Sequence, residues 1–533
     1  MSLPAASDGT TPERTKGGLA EFLHSWRYFV WLLGLILLVG LLFAEENWRG
    51  EWAWNRYKRA LAARGEPLEF SAVVPPGVPD AQNFVMTPLL APLFDFMPGM
   101  SPGASPLNSI PAFAVNYEVA SRELKATNTV RLNSWVQART DLLASYAAIL
   151  NSTNKAANQE AKATAADFTF PEAAAGVLAG LSEAEPVFAE LQAASQLPAS
   201  RFNIHYEDEN PAGILLPHLG VVKRLTQVLS LRACAELALG QTDRAFEDTR
   251  LLLRLVDACK DEPFLISQLV RMAQLGLALQ PVAEGMRQWS EPQLRSLQAQ
   301  LGRFDFCADA RRAMIAERLW SSATIEYLRR SPNRFNQTGG NSSGQRSGAD
   351  LAVLLMSIVP NGWFALERLN CSRMVDECLL PTIDLAARQI NPRRSRQAEE
   401  RIARLAKHST AGLFLRHYFF CGILLPGGSR TARKAAFAQT AVDCAVIACA
   451  LERYRRDHGQ YPDLLGALQP QFIPKLPHDV INGEPLKYRR TEAGRYILYS
   501  VGWNETDDGG LVCAAKAGNE NSLAQGDWVW GLP

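Results

Sequence analysis

The hydrophobic pattern divides the chain into unlike parts. Tyr28 to Ala44 is a run of 17 residues without a charge. At about 1.5 Å per residue, that is the lower limit for a helix crossing a hydrocarbon layer. Trp26, Tyr28 and Trp31 crowd one end and Trp48 stands past the other, as interfacial aromatics do. A cleaved signal sequence needs small residues at its cleavage point, and Leu42-Phe43-Ala44 is bulky. The pattern therefore predicts an uncleaved transmembrane helix over 28–46, preceded by an N-terminal tail, 1–27. Leu351–Val359 and Leu413–Leu425 are also apolar, but Pro360 ends the first and Arg416-His417 interrupts the second.

Residues 47–116 follow. Over 47–60 the pattern predicts a helix leaving the membrane. Proline crowds the stretch 70–116, removing backbone donors and fixing φ, so an extended surface segment is expected there. From 117 to 430 apolar residues recur at helical spacing, for example Val221, Leu225, Val228 and Leu229. Gly240 stops one predicted helix. A third is expected over Leu265–Leu279, ending before Pro281. Ser290 and Gln293 form a capping box for a fourth. Leu237–Ala245 resembles the turn of a tetratricopeptide hairpin, although no 34-residue repeat recurs. Residues 331–350 lack apolar periodicity and read as a flexible insertion. Near 431 the pattern changes again. An Ala-rich helix (Ala435–His458) precedes two strand-like runs, Leu486–Arg490 and Tyr496–Val501. The second is apolar on both faces, as an inner strand is.

Composition narrows the function classes. With 55 basic against 54 acidic residues, the formal net charge is +1, so no basic field favours nucleic acid. Nine cysteines in 533 residues are too few for a disulfide scaffold. The neighbouring pairs, Cys371 with Cys378 and Cys444 with Cys449, cannot bridge along one helix. Small buried hydrophobes are the expected role of the cysteines. No GxSxG, HExxH or phosphate-loop motif occurs. Basic residues flank the apolar run on both sides, so charge bias does not orient it. A short tail inside and a large body outside is the commoner arrangement for such anchors.

Two clusters carry candidate chemistry. Asn504, Glu505, Asp507 and Asp508 offer hard oxygens within five residues, and Gly509-Gly510 permit tight turning. Calcium takes six to eight such oxygens at about 2.3–2.6 Å. The loop is not an EF-hand, because Ala515 stands where the bidentate acid belongs. Asp527 can close a site from the C-terminal segment. The candidate calcium ligands are thus Asn504, Asp507, Asp508 and Asp527. The second cluster is His205, Glu207 and Asp208, a candidate acid–base or metal group for a hydrolase.

The C-terminal runs ALERYRRDHGQYPDLLGAL, LPHDVINGEPLKYRR, YILYSVGWNETDDGG and GDWVW also carry a resemblance. Over about residues 436–530 the chain resembles the soluble domain of the major, G-type pseudopilin of type II secretion systems. That resemblance implies a helix leading into a small antiparallel sheet, with calcium in a late loop. In that family the membrane helix and the pilin helix are one; here nearly 400 residues part them. The whole chain resembles large bacterial envelope proteins sharing this C-terminal pattern.

The expected fold is therefore mainly α. A helical bundle or irregular helical-repeat body carries one N-terminal transmembrane helix and a small C-terminal α+β pseudopilin-like module at 431–533. The expected role is a membrane-anchored, extracytoplasmic interaction or scaffold protein in the inner membrane, bound to a protein partner in the cell envelope. The alternatives are a membrane-tethered hydrolase and an atypical pseudopilin-related subunit.

Overall fold

The computed structural model describes residues 18–97, 106–110, 113, 170–335, 353–428, 430–511 and 523–531. The predicted tail over 1–17, most of 331–350 and the stretch 114–169 of the predicted body lie outside the described residues.

The described chain is mainly helical. Helix α1 (Gly18–Ala63) is 46 residues long, about 69 Å at the usual rise. It joins the predicted anchor and the predicted juxtamembrane helix without a break. Its apolar half is exposed: among the described residues, none of its 18-residue apolar window is buried in protein. Its second half docks on α9 (Asn361–Met374). Trp54, Tyr57 and Leu61 of α1 pack there on Ala365, Leu366 and Leu369. The crossing is made by two glycines. A Cβ added to Gly50 would sit 2.2 Å from the Gly362 carbonyl oxygen, and one on Gly362 would sit 2.0 Å from the Glu46 oxygen. Only bare Cα atoms let the two backbones approach so closely. The Gly362 amide then donates to Asn47 Oδ1 at 2.7 Å, so the contact also satisfies an orphan donor at the start of α9.

Beyond the crossing, polar groups lock the foot of α1. Tyr57 donates to Asp376 Oδ2 at 2.6 Å. Buried Arg318 reaches Asp376 Oδ1 at 2.6 Å and Glu66 Oε2 at 2.7 Å. Asp376 lies in a single π-helical turn, Val375–Leu379, that continues α9. Such turns shift the register of one residue relative to the helix before it.

The body is built from α2 (Phe170–Gly180), α3 (Glu185–Ala194), α4 (Pro217–Ala238), α5 (Thr242–Asp257), α6 (Leu265–Glu284), α7 (Glu291–Leu301) and α8 (Phe306–Arg330). Helices α4 and α5 form the predicted hairpin, turned at Gly240 with φ 71°. The capping box of α7 is present, with the Ser290 amide donating to Gln293 Oε1 at 2.8 Å. Helix α6 differs from expectation. It runs through Pro281 to Glu284. Proline cannot donate to the Leu277 carbonyl one turn back. Ser230 Oγ of α4 reaches that carbonyl at 2.9 Å and satisfies it instead. A neighbouring helix thus allows a proline that would otherwise end the run.

Strands β1 (Ile383–Asp384) and β2 (Gln389–Ile390) form a small hairpin after α9. Helices α10 (Pro392–Ala406), α11 (Thr410–Leu415) and α12 (Phe419–Leu424) follow. Helix α13 (Thr431–His458) packs against α6, α7 and α8. It is long and apolar enough to span a membrane, yet 94% of its apolar window is buried in the body. Strands β3 (Lys487–Arg490), β4 (Tyr496–Ser500) and β5 (Trp528–Gly531) close the chain in one antiparallel sheet, with β4 in the middle. In register, Leu498 faces Tyr488 on one side and Trp530 on the other.

Replacing Gly362 by alanine should force α1 and α9 apart, costing about 1–3 kcal/mol as overpacking does. Thermal unfolding of the full chain in detergent should show the loss. Gly34→Ala is the control, since a Cβ there meets nothing within 4 Å.

Candidate functional site

The acidic loop is held by both sheet edge and backbone. Strand β4 delivers the chain to Gly502, and the loop returns to β5 through Asp527. Asp527 is buried, and its carboxylate accepts from the Gly510 amide at 2.7 Å and the Asp508 amide at 3.3 Å. Burial pushes its carboxyl up, and those two amides oppose the shift. Asp507 Oδ1 accepts from the Tyr499 hydroxyl and the Gly509 amide, each at 3.0 Å. Those donors hold its carboxyl below the usual range. Asp508 Oδ2 accepts from Asn504 Nδ2 at 3.0 Å. Glu505, at φ 61°, is tied to Arg396 of α10 at 2.8 Å. The four predicted calcium ligands lie on or beside one loop and each already has protein donors, but the carboxylates of Asp507, Asp508 and Asp527 are not gathered within 4.8 Å of one another, as the ligand atoms of His218, Cys259 and Glu262 are. Asp479 of the Pro-His-Asp turn is a backbone brace, accepting from the Ile481 and Val501 amides.

The His205 cluster is arranged differently. His205 Nδ1 lies 3.2 Å from Glu207 Oε1, and its Nε2 lies 3.0 Å from the Phe94 carbonyl. The Glu207 side chain is 72% exposed. Asp208 turns away to accept the Asn210 amide at 2.9 Å. A cavity of about 510 Å3 lies elsewhere, at the foot of α1, lined in part by Arg64, Glu66, Arg311, Asp376, Asp384 and Arg394. Its charges serve the fold: Arg311 donates to the Leu380 carbonyl and Arg394 to the Pro381 carbonyl, each at 3.1 Å.

Two buried polar clusters have no signal in the sequence, because their members lie far apart along it. The first joins His218 of α4 to the α5–α6 turn. His218 Nε2 is 2.8 Å from Glu262 Oε1, and Ser267 donates to the other carboxylate oxygen. The imidazole stacks on Phe202 at 4.1 Å. Ligand atoms of His218, Cys259 and Glu262 lie within 4.8 Å of one another. That nitrogen, sulfur and oxygen set suits a borderline cation such as zinc. None of the three lines the cavity at the foot of α1, and the histidine–carboxylate bond satisfies Glu262 without an ion. The second cluster clamps the α4–α5 hairpin. Arg232 forks onto Asp248 at 2.6 Å through both Nε and Nη2, and its Nη1 reaches Glu185 of α3 at 2.9 Å. Glu236, fully buried beside them, pairs with Arg244 at 3.3 Å. Burial, then the neighbouring Asp248, pushes its carboxyl up to about 8.

A groove of about 580 Å3 runs between α3, α5 and α7. Arg250, Arg254, Lys260 and Arg303 line it, with Glu247 and Asp257 between them. Arg254 is fixed by the Leu197 and Ala199 carbonyls, so the floor is rigid.

No protein-family model, curated protein or solved structure matches the chain.

Glu236 gives a pH dependence of defined sign. The folded state holds a proton that the unfolded chain releases above about 4.5. Its contribution is full below that pH and is lost as pH rises through about 8. Glu236→Gln should flatten this fall, gaining on the order of 1–2 kcal/mol over wild type at the alkaline end. Urea unfolding of both proteins at the two ends of that window checks it.

Proposed function

We propose that the chain is a membrane-anchored interaction protein whose body stands on the extracytoplasmic side. One observation carries the reading. The apolar half of α1 is bare, while its polar half is clamped to the body. Exposed apolar area on that scale requires a covering phase, and a lipid bilayer matches its length and its flanking tryptophans. Docking on α9 then gives the body a set direction relative to the anchor.

The C-terminal segment fits the same reading. A long helix followed by a three-stranded antiparallel sheet is the order that the pseudopilin resemblance implies. A module of that kind would address the protein to an envelope assembly. The groove between α3, α5 and α7 is the proposed partner surface. Its basic walls suit an acidic peptide segment. The acidic loop is the proposed calcium position, with the ion replacing Asn504 Nδ2 and the amides as partner of the carboxylates.

The partner reading is tested by placing a photo-crosslinking residue at Gln300, inside the groove, in native membranes. A discrete heavier band is expected, absent when the same residue stands at exposed Glu492. Equal labelling at both positions removes the groove from the proposal. Alkaline extraction should leave the chain in the membrane pellet, and added protease should reach the body from the outer side.

Calcium is tested on the full chain in detergent. At a hundred times the dissociation constant, a bound ion adds about 2.7 kcal/mol. The melting temperature should rise with millimolar calcium and return with chelator. An unchanged melting temperature at that concentration removes calcium from the loop.

A further inference from the structure

We infer that Cys371 and Cys421 form a disulfide bond when the protein folds in an oxidising compartment. The two residues are 50 apart in sequence, one on α9 and one on α12. Their sulfurs lie 2.9 Å apart, and both side chains are buried. A disulfide bond is about 2.05 Å long, so less than 1 Å of approach completes it. That separation is shorter than the ordinary contact of non-bonded carbon atoms, about 3.5–4.0 Å. Two thiols packed only as small hydrophobes would stand further apart.

The surroundings hold the pair in place without the bond. Glu367, one turn before Cys371, accepts the Phe419 and Phe420 amides at 2.8 and 3.0 Å. Asn370 Nδ2 donates to the His417 carbonyl at 2.8 Å. These bonds fix the start of α12 on the flank of α9, within two residues of Cys421. Trp363, Phe414, Phe419 and Phe420 cover the junction with stacked and edge-on rings. The sulfurs therefore meet because the backbone around them is fixed, not by a chance rotamer.

The chemistry balances with one external oxidant. Each thiol loses a proton, the S–S bond forms, and two electrons leave. They pass to the disulfide of a thiol oxidase or of oxidised glutathione, which becomes two thiols. Burial pushes the Cys371 thiol well up, so its thiolate is scarce in the closed fold. Exchange accordingly takes place as the chain folds, or when α12 opens locally. The bond closes a loop that contains β1, β2, α10 and α11, the segment joining the membrane-proximal helices to α13. It works as a staple on that segment, restricting its unfolded states. The extracytoplasmic placement proposed above supplies only the identity of the oxidant; the geometry stands apart from it.

The test uses the full chain. Native membranes are dissolved in denaturant with iodoacetamide to cap free thiols. The protein is then reduced, capped with N-ethylmaleimide and digested. Mass spectrometry should find Cys371 and Cys421 carrying the second label, and a non-reduced digest should contain their two peptides joined. Reductant should lower the melting temperature by several degrees. Cys371→Ser, Cys421→Ser and the double variant should each show one and the same loss. If the sulfurs are free in membranes but join when the detergent-solubilised protein meets oxidised glutathione, the pair stands and the extracytoplasmic placement falls. If both remain capped by iodoacetamide after that oxidation, or join to other cysteines, the inference is overturned.

Discussion

The architecture depends on one close approach, where Gly50 of α1 crosses Gly362 of α9. Side chains hold ordinary helix pairs 8–10 Å apart. Here the absence of both Cβ atoms lets the backbones touch, so Asn47 can receive the Gly362 amide in the first turn of α9. Everything beyond follows from that contact. Tyr57 falls opposite Asp376, and Arg318 is drawn between Asp376 and Glu66. Buried charge of this kind is tolerated only when its partners are fixed. The glycine crossing fixes them, and the network in turn sets the register of α1 against the body.

The same device recurs through the helical body. Arg232 clamps Asp248, Arg388 forks onto Asp443, and Arg453 joins Glu291 to the Phe472 carbonyl. Each pair ties one helix to another element of the fold. Arginine suits this because its planar fork reaches two acceptors in one geometry. The pairs add little net stability, since desolvation offsets most of their attraction. They add orientation: apolar surfaces slide past one another, whereas a bidentate fork does not. The near-zero net charge of the chain thus conceals an ordered set of internal pairs.

What the sequence made legible was local. The apolar run, the capping box at Ser290, the Gly240 turn and the inner strand at Tyr496 each rest on neighbouring residues, and each appears in the structure. What escaped was tertiary. Pro281 reads as a helix end because its rescuer, Ser230, stands on another helix. His218 and Glu262 meet only when α4 folds onto the α5–α6 turn. Cysteine spacing along one helix bore only on the near pairs and said nothing of Cys371 and Cys421, which meet across two helices. The acidic loop lies between these cases. Its own acids are adjacent in sequence, and Asp527 had only its position across the loop to recommend it. Strand pairing of β4 with β5 brings that carboxylate under the Gly510 amide.

The two long apolar helices show what decides between bilayer and core. By length and composition, both α1 and α13 could span a membrane. Helix α13 carries Arg433, Asp443, Glu452 and Arg453 among its buried residues, and each demands a polar partner. The body supplies Arg388 for Asp443 and Glu291 for Arg453. Lipid could supply neither. The run from Tyr28 to Ala44 carries no charge, and among the described residues no part of the body buries it. Each large apolar side chain left in water forfeits about 1.5–3 kcal/mol. Over that run the sum exceeds the roughly 5–15 kcal/mol by which whole domains are stable. A chain that buries one helix so completely and leaves the other so bare is therefore balanced only when a second apolar phase covers α1. That imbalance, rather than hydropathy alone, is the physical ground of the proposed membrane anchor.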